Sequence, residues 1–347
     1  MKLLVTLLSA IMLVSCSHEQ GTHNLQYYPN HYAEDGTFRN PYLEESEKSL
    51  IQFLWARSTT DWSDWSGHEM KVSPVTLDPQ LIHQTNHPIP RISWIGHSTV
   101  LIQYKDTAVL TDPVFSDRAS PFSFAGPKRI FKPAVPLEQL PDIDYVVISH
   151  SHYDHLDVDT VEQLGDKVTW LVPLNMKAWF EAQGVTQVVE LDWWQTYTEG
   201  DVTLRLTPSQ HWSNRSVWDK NEILWGSWQI EIDDFNSWFG GDTGYNPYQF
   251  KEIGDKLGPF DFAMIPIGAY EPRWFMKNMH VNPLDAVKIH QDIKSNLSMG
   301  VHWSTFQLTA EQIYAPKDAL AEALQKFPDL PEFKAVPIGS SFQIIEK

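Results

Sequence analysis

The chain has 347 residues, of which 42% are hydrophobic and 20% are charged, and its formal net charge is −18. These proportions exclude a disordered acidic chain and a coiled coil, and they indicate a globular protein with an ample core. The acidic balance also argues against nucleic acid as a partner, because phosphate binding relies on clustered Lys and Arg side chains.

The N-terminus has the order of an export signal. Lys2 precedes an apolar run at residues 3–14, too short to span a bilayer, and Cys16, the only cysteine of the chain, follows shortly after. This segment resembles the lipobox of bacterial lipoproteins, whose cysteine becomes the lipidated first residue. We therefore expect a signal peptide at residues 1–15, a lipid anchor at Cys16 and a place in the bacterial cell envelope. Ser17 favours the outer membrane over the inner one. An ordinary secretory signal with an incidental cysteine is the alternative.

The rest of the chain divides by composition. Residues 16–42 are polar and suit a lipidated tether. Residues 43–89 form an N-terminal extension, in which apolar residues between 43 and 55 have helical spacing and predict a helix that packs on the main domain. Residues 90–347 form that domain, in which β-rich runs alternate with helical segments. Strands are predicted at residues 92–95, 100–104, 108–110, 145–149, 168–172, 185–191, 202–206, 224–232, 237–239, 262–267, 299–301 and 342–345, and helices at 174–183, 283–293 and 310–327.

The most informative segment directly follows the predicted buried strand at residues 145–149. It brings His150, His152, Asp154 and His155 within six residues. Alternate residues of an extended chain point the same way, so His150 and His152 can reach one metal ion, while Asp154 and His155 can serve a second. Neutral imidazole and carboxylate suit zinc. A solvated polar turn is the alternative, but four ligand types at this spacing argue against it.

Three isolated polar residues follow other apolar runs. His211 comes after the predicted strand at residues 202–206, Asp242 comes shortly after Phe239, and His302 follows residues 299–301. Each can therefore lie at a strand end that faces the same cleft. Taken singly, His211 and His302 fit a buried core histidine equally well.

This set gives the chain a specific resemblance to the metallo-β-lactamase superfamily and, within it, to the N-acylphosphatidylethanolamine-hydrolysing phospholipases D. The resemblance covers roughly residues 90–310. The fold that it implies is α/β (α+β), a four-layer αββα sandwich with metal ions at one edge of the sheets. Besides the metal motif, it is carried by the runs Trp94-Ile95-Gly96-His97, Leu110-Thr111-Asp112-Pro113, Gly126-Pro127-Lys128-Arg129, Thr207-Pro208-Ser209-Gln210-His211-Trp212, Leu224-Trp225-Gly226-Ser227-Trp228, Gly241-Asp242-Thr243-Gly244-Tyr245 and the stretch from Pro266 to Lys277.

The resemblance also implies a ligand set and a reaction. It implies two zinc ions, the first held by His150, His152 and His211, the second by Asp154, His155 and His302, with Asp242 bridging both. Iron or manganese also suits such ligands. A metal-bridging hydroxide would attack the phosphorus of N-acylphosphatidylethanolamine and release N-acylethanolamine and phosphatidic acid. Asp154, Asp242 and His280 are the expected catalytic residues.

Several neighbouring residues are candidates for substrate binding. The resemblance points to Tyr153 and His280, while His97 can line the site and Arg273 can meet a phosphate or ion-pair at the surface. The phospholipase pattern has Gln before His280, where this chain has Met279. This departure leaves the headgroup and acyl-amide preference open.

Some alternatives stay open at this point. Asp112 and Asp157 can accept the second N–H of ligand histidines or cap turns. The same metal pair suits another ester, a lactone or another phosphodiester, and a non-catalytic metal-binding envelope lipoprotein is a different class of answer. We expect a phospholipid substrate, membrane contact through the anchor at Cys16 and no nucleic acid. The sequence does not fix the oligomeric state, and a dimer is one option.

Overall fold

The computed structural model describes residues 31–43, 50–65, 74–84 and 86–345. The predicted signal peptide at residues 1–15 and the predicted anchor at Cys16 lie outside the described residues. Within those residues, no helix combines the length and the hydropathy needed to cross a bilayer.

Fourteen strands in the described part of the chain form two seven-stranded sheets. In chain order, the strands are β1 (His87–Gly96), β2 (Thr99–Lys105), β3 (Thr107–Thr111), β4 (Tyr145–Val147), β5 (Thr169–Pro173), β6 (Val188–Leu191), β7 (Thr196–Glu199), β8 (Val202–Thr207), β9 (Ser227–Ile232), β10 (Phe235–Phe239), β11 (Phe262–Pro266), β12 (Leu297–Val301), β13 (Glu332–Lys334) and β14 (Ser341–Gln343). One sheet has the order β14-β1-β2-β3-β4-β5-β6 and the other β13-β12-β11-β10-β9-β8-β7.

Helices flank the two mixed sheets. They are α1 (Leu50–Thr59), α2 (Pro79–Ile82), α3 (Val158–Leu164), α4 (Lys177–Ala182), α5 (Gln249–Lys256), α6 (Arg273–Met276), α7 (Pro283–Asp292) and α8 (Ala315–Leu324). Every residue of β11 is buried, as expected for an apolar strand covered on both faces. One continuous hydrophobic cluster joins both sheets. The predicted αββα sandwich is therefore confirmed.

The local signals for α7 are confirmed by its first turn. The Asn282 side chain accepts a hydrogen bond from the Asp285 backbone N–H, and Pro283 lies in the first turn, where the missing N–H costs nothing. The segment predicted at residues 310–327 is helical only in α8, which starts next to Pro316. This start is expected, because a proline in the helix interior would remove a backbone hydrogen bond.

Two edge strands and four helices were not predicted. β7 has mostly exposed residues and β13 buries only Phe333, so neither shows the apolar run that marks an inner strand. Helices α3 and α5 also escaped the prediction, as did α2 and α6, which are only four residues long. The strand predicted from residue 224 starts instead at Ser227. Gly226 precedes it, and a side chain there would collide with Leu206.

The predicted tether is wrong for residues 31–42, which pack on the domain. Phe38 is only 2% exposed. His31 Nε2 lies 2.6 Å from a carboxylate oxygen of Asp192, and the Asn40 side chain donates a hydrogen bond to the His211 carbonyl at 2.8 Å. This stretch, which we call the N-terminal strap (residues 31–43), therefore reaches the backbone of a predicted metal ligand.

The predicted helix of the extension is α1, and its packing differs from the expectation. Ala56 is buried, but Ile51, Leu54 and Trp55 are 78%, 54% and 62% exposed. The expected packing of an apolar face on the main domain is therefore wrong for these three side chains. Other parts of the extension do join the core, through Trp65, Leu77 and Ile82.

Candidate metal centre and cavity

Strand direction brings the predicted ligands to one edge of the sandwich. Strand β9 is antiparallel to both β8 and β10, while β10, β11 and β12 are mutually parallel. The carboxyl ends of β8, β10 and β12 therefore share an edge, and the chain continues from them to His211, Asp242 and His302. In the other sheet, the carboxyl end of β4 leads to the His-rich turn at residues 150–155.

Left-handed backbone conformations turn the chain sharply at these ends. Gly241 has φ +56°, and a Cβ there would lie 2.4 Å from the Ser149 Cβ, so only glycine fits this close approach. His302 and His97 also have positive φ, at +60° and +53°. Strained backbone of this kind is concentrated at functional sites.

The first three predicted ligands converge through ring nitrogens. His150 Nε2 lies 2.9 Å from His152 Nδ1, and His152 Nδ1 lies 3.3 Å from His211 Nε2. His211 donates its Nδ1–H to the Met279 carbonyl at 2.9 Å, so the neutral ring presents a lone pair at Nε2. Three nitrogens facing one another in this way form a site that a cation can fill.

The second set gathers around Asp154. Its Oδ2 lies 3.2 Å from His302 Nε2 and 3.4 Å from His155 Nε2. Asp242 joins the two sets, since its Oδ2 lies 3.3 Å from His155 Nε2 and 3.9 Å from His211 Nε2, while its Oδ1 lies 3.2 Å from His302 Nε2. The seven predicted ligand side chains therefore lie together, with Asp242 in the bridging position.

The protonation states suit metal binding. Burial lowers the pKa of His150 and His152 well below the usual value and that of His211 to about 4, so these rings are neutral. Burial raises the pKa of Asp154 and Asp242, but neighbouring histidines outweigh it and hold both values well below the usual range. Neutral imidazoles and ionised carboxylates are the forms that bind divalent metals.

The remaining buried polar atoms also fit a metal. His155 Nε2 and Asp242 Oδ1 are buried and have no hydrogen-bond partner in the described residues. His155 donates its other ring N–H to Asp112 at 2.6 Å, so Nε2 is the nitrogen directed at the cluster. Burial lowers the pKa of His155, but Asp242, Asp154 and Asp112 raise it well above its usual value, so Nε2 faces buried negative charge where a cation would bind. Burial lowers the pKa of His302, but Asp242 and Asp154 raise it to about 9, so buried negative charge there attracts a cation.

Asp112 and Asp157, which the sequence left ambiguous, have different roles. Asp112 binds His155 and also accepts hydrogen bonds from the Ser149 backbone N–H and hydroxyl. Asp157 instead accepts from the backbone of Phe115 and Ser116 and touches no ligand histidine. Of these two aspartates, only Asp112 therefore binds a predicted metal ligand.

Two predicted substrate contacts need correction. His97 is buried and does not line the cavity described below; its Nε2 lies 3.1 Å from Asp154 Oδ2, and it belongs to the cluster of Asp154, His155 and His302. Arg273 also lies away from the cavity lining. Its guanidinium pairs with Asp285 and donates a hydrogen bond to the His280 carbonyl at 2.6 Å. Both are positioning residues because their polar atoms bind other residues of the site.

A cavity of about 680 Å³ opens over the metal cluster. Its volume is within the range of small-molecule sites. At its floor lie His152, Tyr153, Asp154, Asp242 and His280. The walls come from four other parts of the chain: the strap and extension (Asn40, Leu43, Ala56, Arg57, Trp62), residues 119 and 127, residues 212–221, and residues 269–279 with 308 and 309.

Tyr153 and His280 both line the cavity, as predicted for substrate contacts. The Tyr153 hydroxyl donates to the Arg215 carbonyl at 2.6 Å, so its proton is already engaged within the protein. His280 Nδ1 lies 3.7 Å from Asp242 Oδ2, and burial lowers its pKa to about 3. It is therefore a neutral imidazole beside the bridging carboxylate.

Arg215 escaped the sequence analysis. Its guanidinium lies 4.2 Å from the Tyr153 ring centre and donates hydrogen bonds to the carbonyls of Ser151 and Leu156, both at 2.8 Å. It thus binds both ends of the His-rich turn. The sequence offered one signal for Arg215, its position four residues after His211. That spacing does not indicate that the Arg215 side chain is buried against the His-rich turn.

We predict that Asp112→Asn lowers affinity for Zn²⁺ by about 10- to 100-fold. The Asp112 carboxylate accepts hydrogen bonds from the Ser149 N–H, the Ser149 hydroxyl and the His155 ring. An amide has only one acceptor oxygen, so the His155 ring loses its fixed orientation. Competition with a chromogenic chelator measures the affinity. Asp157→Asn is the matched control, since Asp157 is also buried but serves a turn. Equal losses in both variants would contradict the assigned role of Asp112.

Comparisons with known proteins agree with this geometry. The model of the Beta-lactamase superfamily domain matches residues 107–303. N-acyl-phosphatidylethanolamine-hydrolyzing phospholipase D 1 of Caenorhabditis elegans is 42% identical over 270 residues, which cover 74% of this chain and 76% of the relative. The mitochondrial N-acyl-phosphatidylethanolamine-hydrolyzing phospholipase D of Saccharomyces cerevisiae is 36% identical over 236 residues, 66% of this chain and 50% of the relative.

Solved structures share the fold. A metallo hydrolase from the archaeon Ignicoccus hospitalis superposes with a TM-score of 0.55 at 17% identity, over 74% of this chain and 99% of that chain. The chain therefore belongs to the metallo-β-lactamase superfamily, as a metal-dependent hydrolase related to the N-acylphosphatidylethanolamine-hydrolysing phospholipases D.

Proposed function

We propose that this protein is a binuclear zinc phosphodiesterase that hydrolyses N-acylphosphatidylethanolamine to N-acylethanolamine and phosphatidic acid. The observation that carries the proposal is the position of Asp242 between two ligand sets at the floor of a 680 Å³ cavity. The relatives' names supply the substrate class. Iron or manganese fits the same ligands, and zinc is the choice favoured by five imidazoles and two carboxylates.

Bound by these seven side chains, a metal pair would supply an activated water and charge stabilisation for the attacking and leaving oxygens at phosphorus. The chain's own residues hold the substrate and handle protons. Because its imidazole is neutral, His280 can donate one N–H to a phosphoryl oxygen and keep a lone pair at the other nitrogen. Arg273 donates a hydrogen bond to the His280 carbonyl and so fixes the backbone from which this ring extends.

The cavity lining suits a lipid with a phosphate. Leu43, Trp62, Phe275 and Met279 offer apolar surface to acyl chains, and each buried methylene contributes about 0.8 kcal/mol. Arg57 also lines the cavity and brings positive charge to a chain that is acidic as a whole.

The segments around the cavity also carry apolar side chains that face solvent. Helix α1, the loop at residues 118–128, the loop at residues 213–222 and helix α6 each contribute to the lining. The same segments expose what we call the rim: Ile51, Leu54, Trp55, Phe122, Phe124, Val217, Trp218 and Trp274. We propose that the rim contacts the membrane that contains the substrate, because aromatic side chains partition into the bilayer interface.

A lipid anchor at Cys16 would add to this contact. It would hold the enzyme in the envelope, at the outer membrane by our proposal, and raise the effective concentration of substrate without a new contact. The strap begins 15 residues after Cys16 and ends at the cavity wall, so an anchor at Cys16 would be close in sequence to a segment that lines the site.

We predict that the zinc-loaded protein releases N-acylethanolamine and phosphatidic acid from N-acylphosphatidylethanolamine in detergent. Asp242→Asn should lower the rate by more than about 100-fold, because it removes the bridging charge. Mass spectrometry of the lipid products measures both results.

Asp255→Asn is the control for that substitution, since Asp255 is a surface partner of Lys294. Zinc quantification and circular dichroism should show a folded Asp242→Asn variant. If the wild-type protein with both metals releases neither product, a panel of lactones, thioesters and soluble phosphodiesters identifies the substrate class instead.

We predict that the double variant Phe124→Ser, Trp218→Ser loses at least about tenfold in activity on vesicles, because each exposed ring contributes roughly 1.5–3 kcal/mol when it is buried in lipid. Activity on a dissolved short-chain analogue should stay unchanged, since neither side chain lines the cavity. Vesicle sedimentation measures binding directly. Ile345→Ser is the control, because Ile345 is 71% exposed in a segment that does not line the cavity. Equal losses on vesicles and on the dissolved analogue would exclude a membrane role for the rim.

A further inference from the structure

Glu311 is a buried carboxylate that binds three consecutive backbone N–H groups. Its Oε1 accepts from Ala269 at 2.6 Å and from Tyr270 at 3.3 Å, and its Oε2 accepts from Glu271 at 3.1 Å and from the Thr309 hydroxyl at 2.6 Å. Successive N–H groups that converge in this way form an anion-binding nest. The Glu311 carboxylate therefore occupies the nest formed by residues 269–271.

The loop that Glu311 holds forms one wall of the cavity. Ala269 and Glu271 are lining residues, and helix α6, which directly follows, adds Phe275 and Met276. On its other side the loop touches the metal site, since a Cβ on Gly268 would come within 2.1 Å of the His302 carbonyl oxygen. Ala269 has φ +62°, a left-handed conformation that a non-glycine residue adopts only when its surroundings impose it.

The backbone of Glu311 holds a second wall. The Ser63 hydroxyl lies 2.6 Å from the Glu311 carbonyl oxygen and 2.9 Å from that of Ala310. The Trp65 indole N–H donates to the Glu311 carbonyl at 2.9 Å, and the Gln307 side chain donates to the Ser63 carbonyl at 2.6 Å. Trp62, beside Ser63, lines the cavity.

We propose that Glu311 is a positioning residue that sets acyl-chain specificity. Its carboxylate fixes the wall at residues 269–276 and its carbonyl fixes the wall around Trp62, so one residue sets the separation of two apolar surfaces. Glu311 itself does not line the cavity and touches no predicted ligand, so it acts through the walls. The inference rests on the proposed function for the identity of the occupant, a long acyl chain.

The test compares two N-acylphosphatidylethanolamines, one with sixteen-carbon chains and one with six-carbon chains. In Glu311→Gln, the amide leaves part of the nest without an acceptor. We expect KM for the long-chain substrate to rise about tenfold, with KM for the short-chain substrate, kcat and zinc content nearly unchanged. A purely structural role would lower the active fraction, and therefore the apparent kcat, for both substrates.

Asp166→Asn is the control for the set of donors, although Asp166 is exposed and Glu311 is buried. Asp166 accepts the backbone N–H groups of Thr186 and Gln187 and the Thr186 hydroxyl, the same kinds of donor, in a part of the domain that does not line the cavity. It should keep the wild-type ratio of the two KM values. The proposal is overturned if Glu311→Gln keeps that ratio as well, or if Asp166→Asn changes it equally.

Two further measurements keep the proposal testable. If Glu311→Gln does not fold, Ser63→Ala removes one support of the Trp62 wall without burying a charge, and it should change the KM ratio in the same direction. An unchanged ratio overturns the proposal.

If the wild-type protein hydrolyses neither substrate, the proposed function fails. Binding of N-palmitoylethanolamine then tests whether Glu311 positions the cavity walls. Trp62 and Trp212 report it by fluorescence, with Kd about tenfold higher in Glu311→Gln expected and equal Kd overturning the inference.

Discussion

Burial of charge at one edge of the sandwich is the constraint on which the site depends. Asp154 and Asp242 stay ionised although burial opposes it, and His211 directs a bare lone pair into the same small volume. Asp242 and His211 are buried and the Asp154 side chain is only 13% exposed, and burying a charge without a partner carries a large free-energy cost. A divalent cation bound there would offset that cost, and its binding would then be coupled to folding.

The inner part of the fold was predictable because it follows simple periodic rules. Inner strands such as β11 are continuous apolar runs, and α7 has its cap at Asn282 and a proline in its first turn. The edge strands β7 and β13 lack an apolar run. Each has a neighbouring strand on one side only, so most of its side chains are exposed and polar residues are tolerated there. Chain periodicity therefore carries no signal for them.

The site also has a part that the sequence predicts and a part that it does not. The candidate ligands could be selected from the sequence because their segments follow predicted strands, and strands of one direction end at one edge. The family resemblance then joined the seven residues into one set. Residues that act through hydrogen bonds to distant backbone groups could not be chosen. Arg215 and Glu311 bind carbonyl or N–H groups as many as 64 and 42 residues away, and nothing in their local sequence indicates those partners. His97 and Arg273 were selected for their chemistry, but the structure directs that chemistry to Asp154 and His280.

Met279 shows how one residue serves two independent purposes. Its carbonyl accepts the Nδ1–H of His211, while its side chain lines the cavity. Every amino acid has a carbonyl, so replacement of this side chain leaves the orientation of His211 intact. A methionine can therefore stand where the phospholipase pattern has glutamine, and so alter the chemistry of the cavity wall, while the backbone contact that orients His211 is preserved whatever the side chain.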